Sequence, residues 1–378
     1  MATAVSAEER VVDFDLHGYV GIRLLDARAD DVKRVERQLG PLQRPLQGQP
    51  DITVRFVERI EQRGSLVYVA LEEGGFDDAS FYVLRGKGQV RGRASIPFQD
   101  VGGSCQIVCE RSLPAVPLLL PIINMTALAK GLLPLHASAF NYEGQGILAT
   151  GWAKGGKTET LLAFMEHGAR YVGDEWIYLT QDRRMFGIPE PIRLWRWQLE
   201  QLPLFGARLR REERLRLAAL DICARGLERV AGRGRSGGAI TSILRRGAPV
   251  VRRQVNTQVP PARLFGSQAL ALSSELHRVL LLSSHEPSGV QILPVKASEV
   301  ARRMIASGAE ERHAFMSYYR QFRFAFPQLK SPVVERASTM EAGLLRTALA
   351  GLPAAWVRHP YPVEIATLYD RLSKLISS

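Results

Sequence analysis

Cysteine is scarce in this sequence, with only Cys105, Cys109 and Cys223 among 378 residues. Their number is odd, and their spacing is neither that of a zinc site nor that of a redox pair. This excludes a disulfide framework, and we expect free thiols in a reducing compartment. The first residues also lack an apolar segment behind a basic start, so we expect no secretory signal and a cytoplasmic protein.

Long apolar runs are also rare, and the only candidate for a membrane span is residues 114–135. A spanning helix needs about 20 predominantly apolar residues. Here Pro114, Pro117 and Pro121 crowd one end of the run, and Lys130 interrupts the other. We therefore expect a buried helix that begins near Pro121 and no contact with a membrane.

Acidic residues are too few in one segment to balance its arginines. Residues 208–253 contain thirteen arginines and four acids, which is an excess of nine positive charges in a chain of net charge +12. The segment is typical of a solvated helix followed by a flexible Gly/Arg/Ser stretch, or of a docking surface for an acidic or phosphorylated acceptor. An arginine such as Arg245 or Arg246 could also stabilise a transition state. Nucleic-acid binding is disfavoured, because few aromatic residues interleave with the arginines and no known motif is present.

The chain is long enough for two or three domains, and its hydrophobic content of 46% allows a sizeable core. Residues 1–112 alternate apolar and polar positions between glycine-rich turns, which predicts a mainly β (α+β) N-terminal domain with few helices. Residues 113–298 mix strands and helices, which is typical of an α/β domain. Residues 299–378 show helical periodicity and are expected to form a helical C-terminal region.

The strongest motif is GWAKGGKT at residues 151–158, which matches the G-x-x-x-x-G-K-[ST] phosphate-binding loop completely. A hydrophobic strand is predicted before it and an amphipathic helix, ended by Gly168, after it. Backbone amides of such a loop surround phosphate oxygens, and the helix N-terminus favours an anion. We expect the nucleotide-binding residues to be Gly151, Trp152, Ala153, Lys154, Gly155, Gly156, Lys157, Thr158 and Glu159. Lys157 is expected to reach the β- and γ-phosphates, and Thr158 to bind Mg²⁺.

Two adjacent acids, Asp174 and Glu175, follow Lys157 by 17 and 18 positions, at the end of a short predicted strand. Transfer of a phosphoryl group from Mg-ATP needs a carboxylate for the ion and a group that positions or deprotonates the attacking hydroxyl. The acids are therefore candidates for both tasks, with Thr158, Asp174 and Glu175 as the candidate metal ligands.

The segment from about His136 to Leu179 resembles the catalytic domain of HPr kinase/phosphorylase. It contains LHASAF, then GILATGWAKGGKTETLL, then GARYVGDEW, with the acids at the short spacing typical of that family. The resemblance implies a P-loop domain of the HPr kinase/phosphoenolpyruvate carboxykinase type. It also implies His136, Asp174 and Glu175 as catalytic residues, with Asp174 as the base and Glu175 on the metal side, although these two roles could be exchanged.

Departures from the family pattern bear on the acceptor. The second acid is Glu where the family has Asp, and the arginine- and glycine-rich signature that engages the carrier protein has no clear counterpart after Pro189. We therefore expect an acceptor other than HPr, namely a protein or peptide serine or a small hydroxyl compound.

Two functions remain open from the sequence. In the first, an ATP-dependent kinase transfers the γ-phosphoryl group to a hydroxyl. In the second, an ATPase or nucleotide switch regulates a partner. The cofactors would be ATP or GTP with Mg²⁺ in either case, and a homo-oligomer is compatible with the sequence.

Overall fold

The structure is a computed structural model that describes residues 11–70, 73–87, 90–233, 255–286 and 289–377. It contains a sheet of eight strands, a sheet of nine strands, a two-stranded ribbon and helices around them. The protein is therefore of the mixed α/β class.

The first sheet is built from the N-terminal part of the chain, in the strand order β1-β2-β3-β8-β7-β6-β5-β4. Its strands are β1 (Val12–Leu16), β2 (Val20–Leu25), β3 (Ile52–Val57), β4 (Val67–Val69), β5 (Gly74–Phe76), β6 (Phe81–Lys87), β7 (Val90–Ser95) and β8 (Cys105–Glu110). Alternate residues of β2 and β3 are buried, as the period of two predicts for a sheet with one covered face. Strands β2, β3 and β8 are parallel neighbours, and the remaining pairs are antiparallel.

The second sheet has the strand order β16-β13-β12-β9-β10-β17-β19-β18, and β11 pairs with β9. Its strands are β9 (Leu133–Tyr142), β10 (Gln145–Gly151), β11 (Arg170–Gly173), β12 (Trp176–Leu179), β13 (Arg184–Gly187), β16 (Ser273–Glu275), β17 (Arg278–Ser284), β18 (Gln291–Pro294) and β19 (Ala354–His359). Strands β10, β17 and β19 are parallel, so their carboxyl ends meet at one edge of the sheet. The ribbon consists of β14 (Ile192–Trp195) and β15 (Asn256–Val259).

Helix α1 (Ala29–Leu39) connects β2 to β3 of the first sheet. The later helices include those on both faces of the second sheet, and in chain order they are α2 (Leu119–Ala129), α3 (Lys157–Glu166), α4 (Arg196–Gln201), α5 (Pro203–Ala207), α6 (Arg211–Arg233), α7 (Pro261–Phe265), α8 (Ala297–Glu311), α9 (His313–Ala325), α10 (Pro332–Leu349) and α11 (Ile365–Ile376). Leu148 of β10 points into a core shared with α2, α8, α9 and α10, whereas its neighbours Ile147 and Ala149 point into a second core with α3 and α11. This alternation follows from the opposite directions of successive side chains in a strand.

The first core is continuous with the N-terminal sheet. Phe98, which follows β7, packs its ring against Phe81 of β6 and against Phe315 and Phe322 of α9. Buried aromatic pairs of this kind contribute about 0.5–1.5 kcal/mol each beyond the area they bury. The helices near the C-terminus therefore complete the core of the first sheet as well as one face of the second.

The apolar run at 114–135 forms helix α2, which begins at Leu119 and is buried along most of its length. No helix among the described ranges has the length and apolar character needed to span a bilayer. The helices expected in the C-terminal region are present as α8 to α11, but this region also contains β19, which lies between β17 and β18. Strand β19 was not predicted, because six residues between two helical segments give little periodic signal.

Helix α3 was expected to be amphipathic, but nearly all its residues are buried, since α11 covers the side that would otherwise face solvent. In the arginine-rich segment, helix α6 accounts for residues 211–233. Residues 208–210 precede this helix, and residues 234–253, with most of the Gly/Arg/Ser stretch and both Arg245 and Arg246, lie outside the described residues.

Candidate functional site

The glycine loop connects β10 to α3 at the carboxyl edge of the parallel strands, which is where ligands bind in open α/β sheets. Gly156 has φ +101°, and a Cβ atom there would lie 2.1 Å from Nε2 of His359. Only glycine fits this position, because any side chain would be both strained and in collision with a buried ring. Trp152, Ala153 and Lys154 are exposed at the tip of the loop.

Lys157 is buried at the first turn of α3, and its ammonium group turns back onto the loop. Its Nζ donates hydrogen bonds to the carbonyl oxygens of Gly151, at 3.3 Å, and Trp152, at 3.1 Å. Burial lowers the pKa of Lys157, against the opposing effect of Glu175 and Asp174. The backbone carbonyl of Lys157 accepts a hydrogen bond from Ser138 of β9 at 2.8 Å, which fixes the helix start to the sheet. A cation is therefore held over the loop with only neutral carbonyls as hydrogen-bond partners.

Asp174 and Thr158 lie side by side. The hydroxyl of Thr158 donates to the two carboxylate oxygens of Asp174, at 3.0 and 3.3 Å. Asp174 is 2% exposed. Burial, and then the charge of Glu175, raise the pKa of Asp174 to about 7, although Thr158 and Lys157 lower it. A hydroxyl and a carboxylate thus meet next to the glycine loop.

The side chain of Glu175 makes its contact with His136. Its Oε2 lies 2.8 Å from Nε2 of His136, which is on β9. As expected, the acids follow directly on the end of a short strand, β11, and they form its connection to β12, where Glu175 has φ +69°. A left-handed backbone is uncommon for a residue other than glycine and often occurs at functional sites. The hydrogen bond with His136 lowers the pKa of Glu175.

His136 also contacts Glu311, the last residue of α8, through Nδ1. Burial lowers the pKa of His136, but the hydrogen bonds with Glu175 and Glu311 outweigh it and raise this pKa to about 9. An imidazole that donates to a carboxylate from each nitrogen must carry both protons. Glu311 was not predicted as a site residue, because it is 175 positions away from His136 and no local pattern marks it.

His359 is a second residue that the sequence analysis missed. It is fully buried at the end of β19, and its Nε2 contacts the carbonyl oxygen of Gly155 at 2.7 Å. Its Nδ1 contacts the carbonyl of Pro360 at 2.8 Å. The histidine therefore supports the glycine loop from inside the protein, and only the pairing of β19 with β17 brings it there.

Glu190 is a third missed residue, in the connection between β13 and β14. Burial, and then the charges of Glu175 and Asp174, raise its pKa well above the usual value. Its Oε1 is buried without a hydrogen-bond partner. An unsatisfied buried carboxylate oxygen is costly and calls for an explanation, which a bound cation would give.

Glu159, which was expected at the nucleotide, is buried in the first turn of α3. Its Oε1 accepts a hydrogen bond from Gln198 of α4 at 2.8 Å. The carboxylate therefore ties α3 to α4, and what Glu159 offers a ligand is its backbone amide at the helix N-terminus.

The oxygen donors near the loop suit a hard cation such as Mg²⁺. Thr158 and Asp174 are in contact, and Glu190 has an unsatisfied oxygen. Within the described ranges, however, no three His, Cys, Asp or Glu side chains converge as a ready-made metal site.

Comparison with protein-family models and with curated proteins gave no match for this chain.

Proposed function

We propose that this protein is a nucleotide-dependent kinase that transfers the γ-phosphoryl group of ATP or GTP to a hydroxyl group. One observation carries the proposal: a glycine loop that matches the phosphate-binding motif has its lysine, a Thr158–Asp174 contact and a His136–Glu175 pair around the same helix start. Each part has a defined task in phosphoryl transfer, and the three would have no reason to meet in an ordinary glycine turn.

The glycine loop would bind the triphosphate through its amides. Lys157 would exchange its two carbonyl contacts for β- and γ-phosphate oxygens, which are stronger partners because they are charged. No rearrangement of the helix is needed, since only the end of a flexible side chain moves. This stabilises the charge on the transferring group in a site with little water.

The two acids are proposed to act in the exchanged order relative to the family pattern. Asp174, deeply buried beside Thr158, would hold the magnesium ion with that hydroxyl, and Glu190 lies close enough to influence both acids. Bound Mg²⁺ would neutralise phosphate charge and orient the γ-phosphoryl group. The raised pKa of Asp174 is compatible with a base, but its position behind Thr158 leaves an incoming hydroxyl little access, and geometry takes precedence over pKa.

Glu175 is the better placed base, because its side chain is 47% exposed and its pKa is lowered, so it is ionised at neutral pH. Glu175 would accept the proton of the acceptor hydroxyl as that oxygen bonds to the γ-phosphorus. The bond from the γ-phosphorus to the β,γ-bridging oxygen breaks, and the nucleoside diphosphate leaves. His136 would hold the carboxylate in place during this step.

The second candidate is an ATPase or nucleotide switch, in which Glu175 orients water. The half-exposed position of Glu175 fits either nucleophile. The resemblance of residues 136–179 to the HPr kinase/phosphorylase catalytic domain favours transfer to a hydroxyl on a protein, a peptide or a small molecule. The exposed basic side chains of α6, such as Arg214 and Arg216, are a candidate docking surface for an acidic acceptor.

The test is incubation of the protein with γ-labelled Mg-ATP, alone and with candidate hydroxyl acceptors. We expect slow phosphate release alone and label transfer with the correct acceptor, whereas fast release alone would favour the switch. Lys157→Ala should lower either rate by about 100-fold or more, because one preorganised cation is lost from the transferring group. Lys330→Ala, at an exposed lysine between α9 and α10 and outside the site, is the matched control. Unchanged turnover in Lys157→Ala would refute the proposal.

A further inference from the structure

The Nδ1 side of the His136 ring contacts a residue that has no role in the reaction proposed above. Nδ1 of His136 lies in hydrogen-bonding contact with Oε1 of Glu311, while Nε2 lies 2.8 Å from Glu175. The three side chains therefore form a line from the end of α8 to the carboxylate assigned as the base. His136 is mostly buried within this line.

Glu311 is itself firmly placed. The next residue, Arg312, makes an ion pair with Glu341 of α10 in which both side chains are buried, and its Nη2 donates to Ser338 at 3.1 Å. Helix α8 also packs along α10 and against β10, the strand that leads into the glycine loop. The carboxylate of Glu311 is thus anchored to the core rather than to a mobile surface loop.

We propose that Glu311 is a positioning residue that acts through His136 to orient Glu175 for the transfer step. An imidazole ring can turn about its χ angles, and a carboxylate on Nδ1 fixes both the ring plane and which nitrogen faces Glu175. Glu175 needs this support because it projects from a left-handed backbone position and is half exposed. This inference rests on the proposed function, and it assigns to α8 a part in the chemistry of a loop far away in sequence.

The inference predicts that Glu311 affects the rate of the reaction much more than the affinity for Mg-ATP. The hydrogen bond of Glu311 is with His136, and its charge affects the pKa of Lys157 less than the charges of Glu175 and Asp174 do. We therefore expect Glu311→Gln to change the affinity for Mg-ATP little. Loss of an outer partner of this kind typically costs about 10- to 100-fold in activity. We therefore expect kcat for phosphate release from Mg-ATP, with water as the acceptor, to fall about 10-fold or more while KM changes little.

Glu310→Gln is the matched control, since it makes the same change one position earlier on an exposed side chain of the same helix. It should behave as the wild-type protein does. If Glu311→Gln fails to fold, as judged by thermal unfolding, Glu311→Asp keeps the charge, withdraws it by one methylene group, and should show the same rate effect to a smaller degree.

A double-mutant cycle tests whether the effect passes through His136. In a His136→Asn background, Glu311→Gln should cause no further fall in kcat, because the residue that transmits its effect is gone. Wild-type kcat in Glu311→Gln, or a full additional loss in the double mutant, would overturn the inference and leave the proposed function standing. If the wild-type protein releases no phosphate from Mg-ATP and transfers none, the proposed function fails and the inference fails with it.

Discussion

Asp77 and Asp174 are two equally buried aspartates, each 2% exposed. Asp77 connects strands of the first sheet and Asp174 connects strands of the second, and their surroundings shift their pKa values in opposite directions. Asp77, in the connection between β5 and β6, accepts hydrogen bonds from the amides of Arg63, Ala79 and Ser80 and from the hydroxyl of Tyr82, all at 2.7–2.9 Å. Burial raises its pKa, but these four donors outweigh burial, so the net shift is downward. Each oxygen of this carboxylate therefore accepts two hydrogen bonds from the protein itself.

Asp174 has one side-chain donor, Thr158, and several like charges nearby. Burial and the charge of Glu175 raise its pKa, as they raise that of Glu190. A buried acid whose oxygens are saturated stabilises a fold, whereas one that is left short of donors beside other acids is held ready for a ligand. The N-terminal sheet is therefore a structural element in this account, and the chemistry is confined to the edge of the second sheet.

The largest effect is expected from Asp174→Asn. The amide keeps the hydrogen bond with Thr158 but loses the charge that would bind Mg²⁺, so turnover should fall by at least about 100-fold. The Mg²⁺ concentration for half-maximal rate should rise. Glu175→Gln should stop transfer equally well but leave the Mg²⁺ dependence of nucleotide binding unchanged. If Asp174→Asn binds Mg-ATP normally and only transfer is lost, then Asp174 is the base and the two roles return to the family order.

Asp77→Asn makes the same substitution at the aspartate that is assigned a structural role, and it is the matched control. The amide has one acceptor oxygen for four donors, so at least one buried donor loses its partner, at about 1–3 kcal/mol each. We expect urea unfolding at pH 7.5 to show a loss of about 2 kcal/mol, with turnover per folded molecule unchanged. Asp174→Asn should show no such loss of stability. Equal destabilisation by both substitutions would remove the distinction between structural and functional acids.

A smaller effect is expected from pH, which should change the free energy of unfolding. Asp174 binds its proton more tightly in the folded protein than in the unfolded chain, because its folded pKa of about 7 exceeds the ordinary value of 3.8. Its contribution to the free energy of unfolding is therefore greatest at low pH and is lost as pH rises from about 4 to 7. For Asp77, with a lowered pKa, the contribution is present above pH 4 and lost as pH falls through the folded pKa.

Urea unfolding of wild-type protein and Asp174→Asn at pH 5 and pH 7.5, without Mg²⁺ or nucleotide, measures this effect. The stability of the wild-type protein relative to the variant should fall by at least about 1.4 kcal/mol across that range, the equivalent of one pKa unit. A difference that stays constant with pH would mean that Asp174 does not retain its proton near neutral pH.

Local sequence patterns were sufficient to predict much of this structure. The strand before the glycine loop, the loop and α3 were predicted from apolar periodicity, glycine spacing and a helical segment, as were α2 and the helices from α8 onward. Each depends on residues close together in sequence. The same pattern could not show that α3 is buried on nearly all sides, since that depends on α11, about 200 positions later.

Prediction of the site from the sequence was limited in the same way, to residues that lie close together in the chain. Lys157, Thr158, Asp174, Glu175 and His136 were identified from one segment, residues 136–179, and the structure brings them together. Their supporting residues, Glu190, Glu311 and His359, come from other elements and are joined to the site only by sheet order and helix packing. Sequence spacing also could not decide which acid faces Thr158, because that depends on the left-handed turn at Glu175.

The most direct measurement is calorimetric titration of the wild-type protein with Mg-ATP and with AMP. If the amides of the glycine loop and Lys157 hold the β- and γ-phosphates, Mg-ATP should bind about 10-fold tighter than AMP or better. Lys157→Ala should remove most of that difference and leave AMP binding as it was. Equal affinities for the two nucleotides, or no binding of Mg-ATP, would contradict the account.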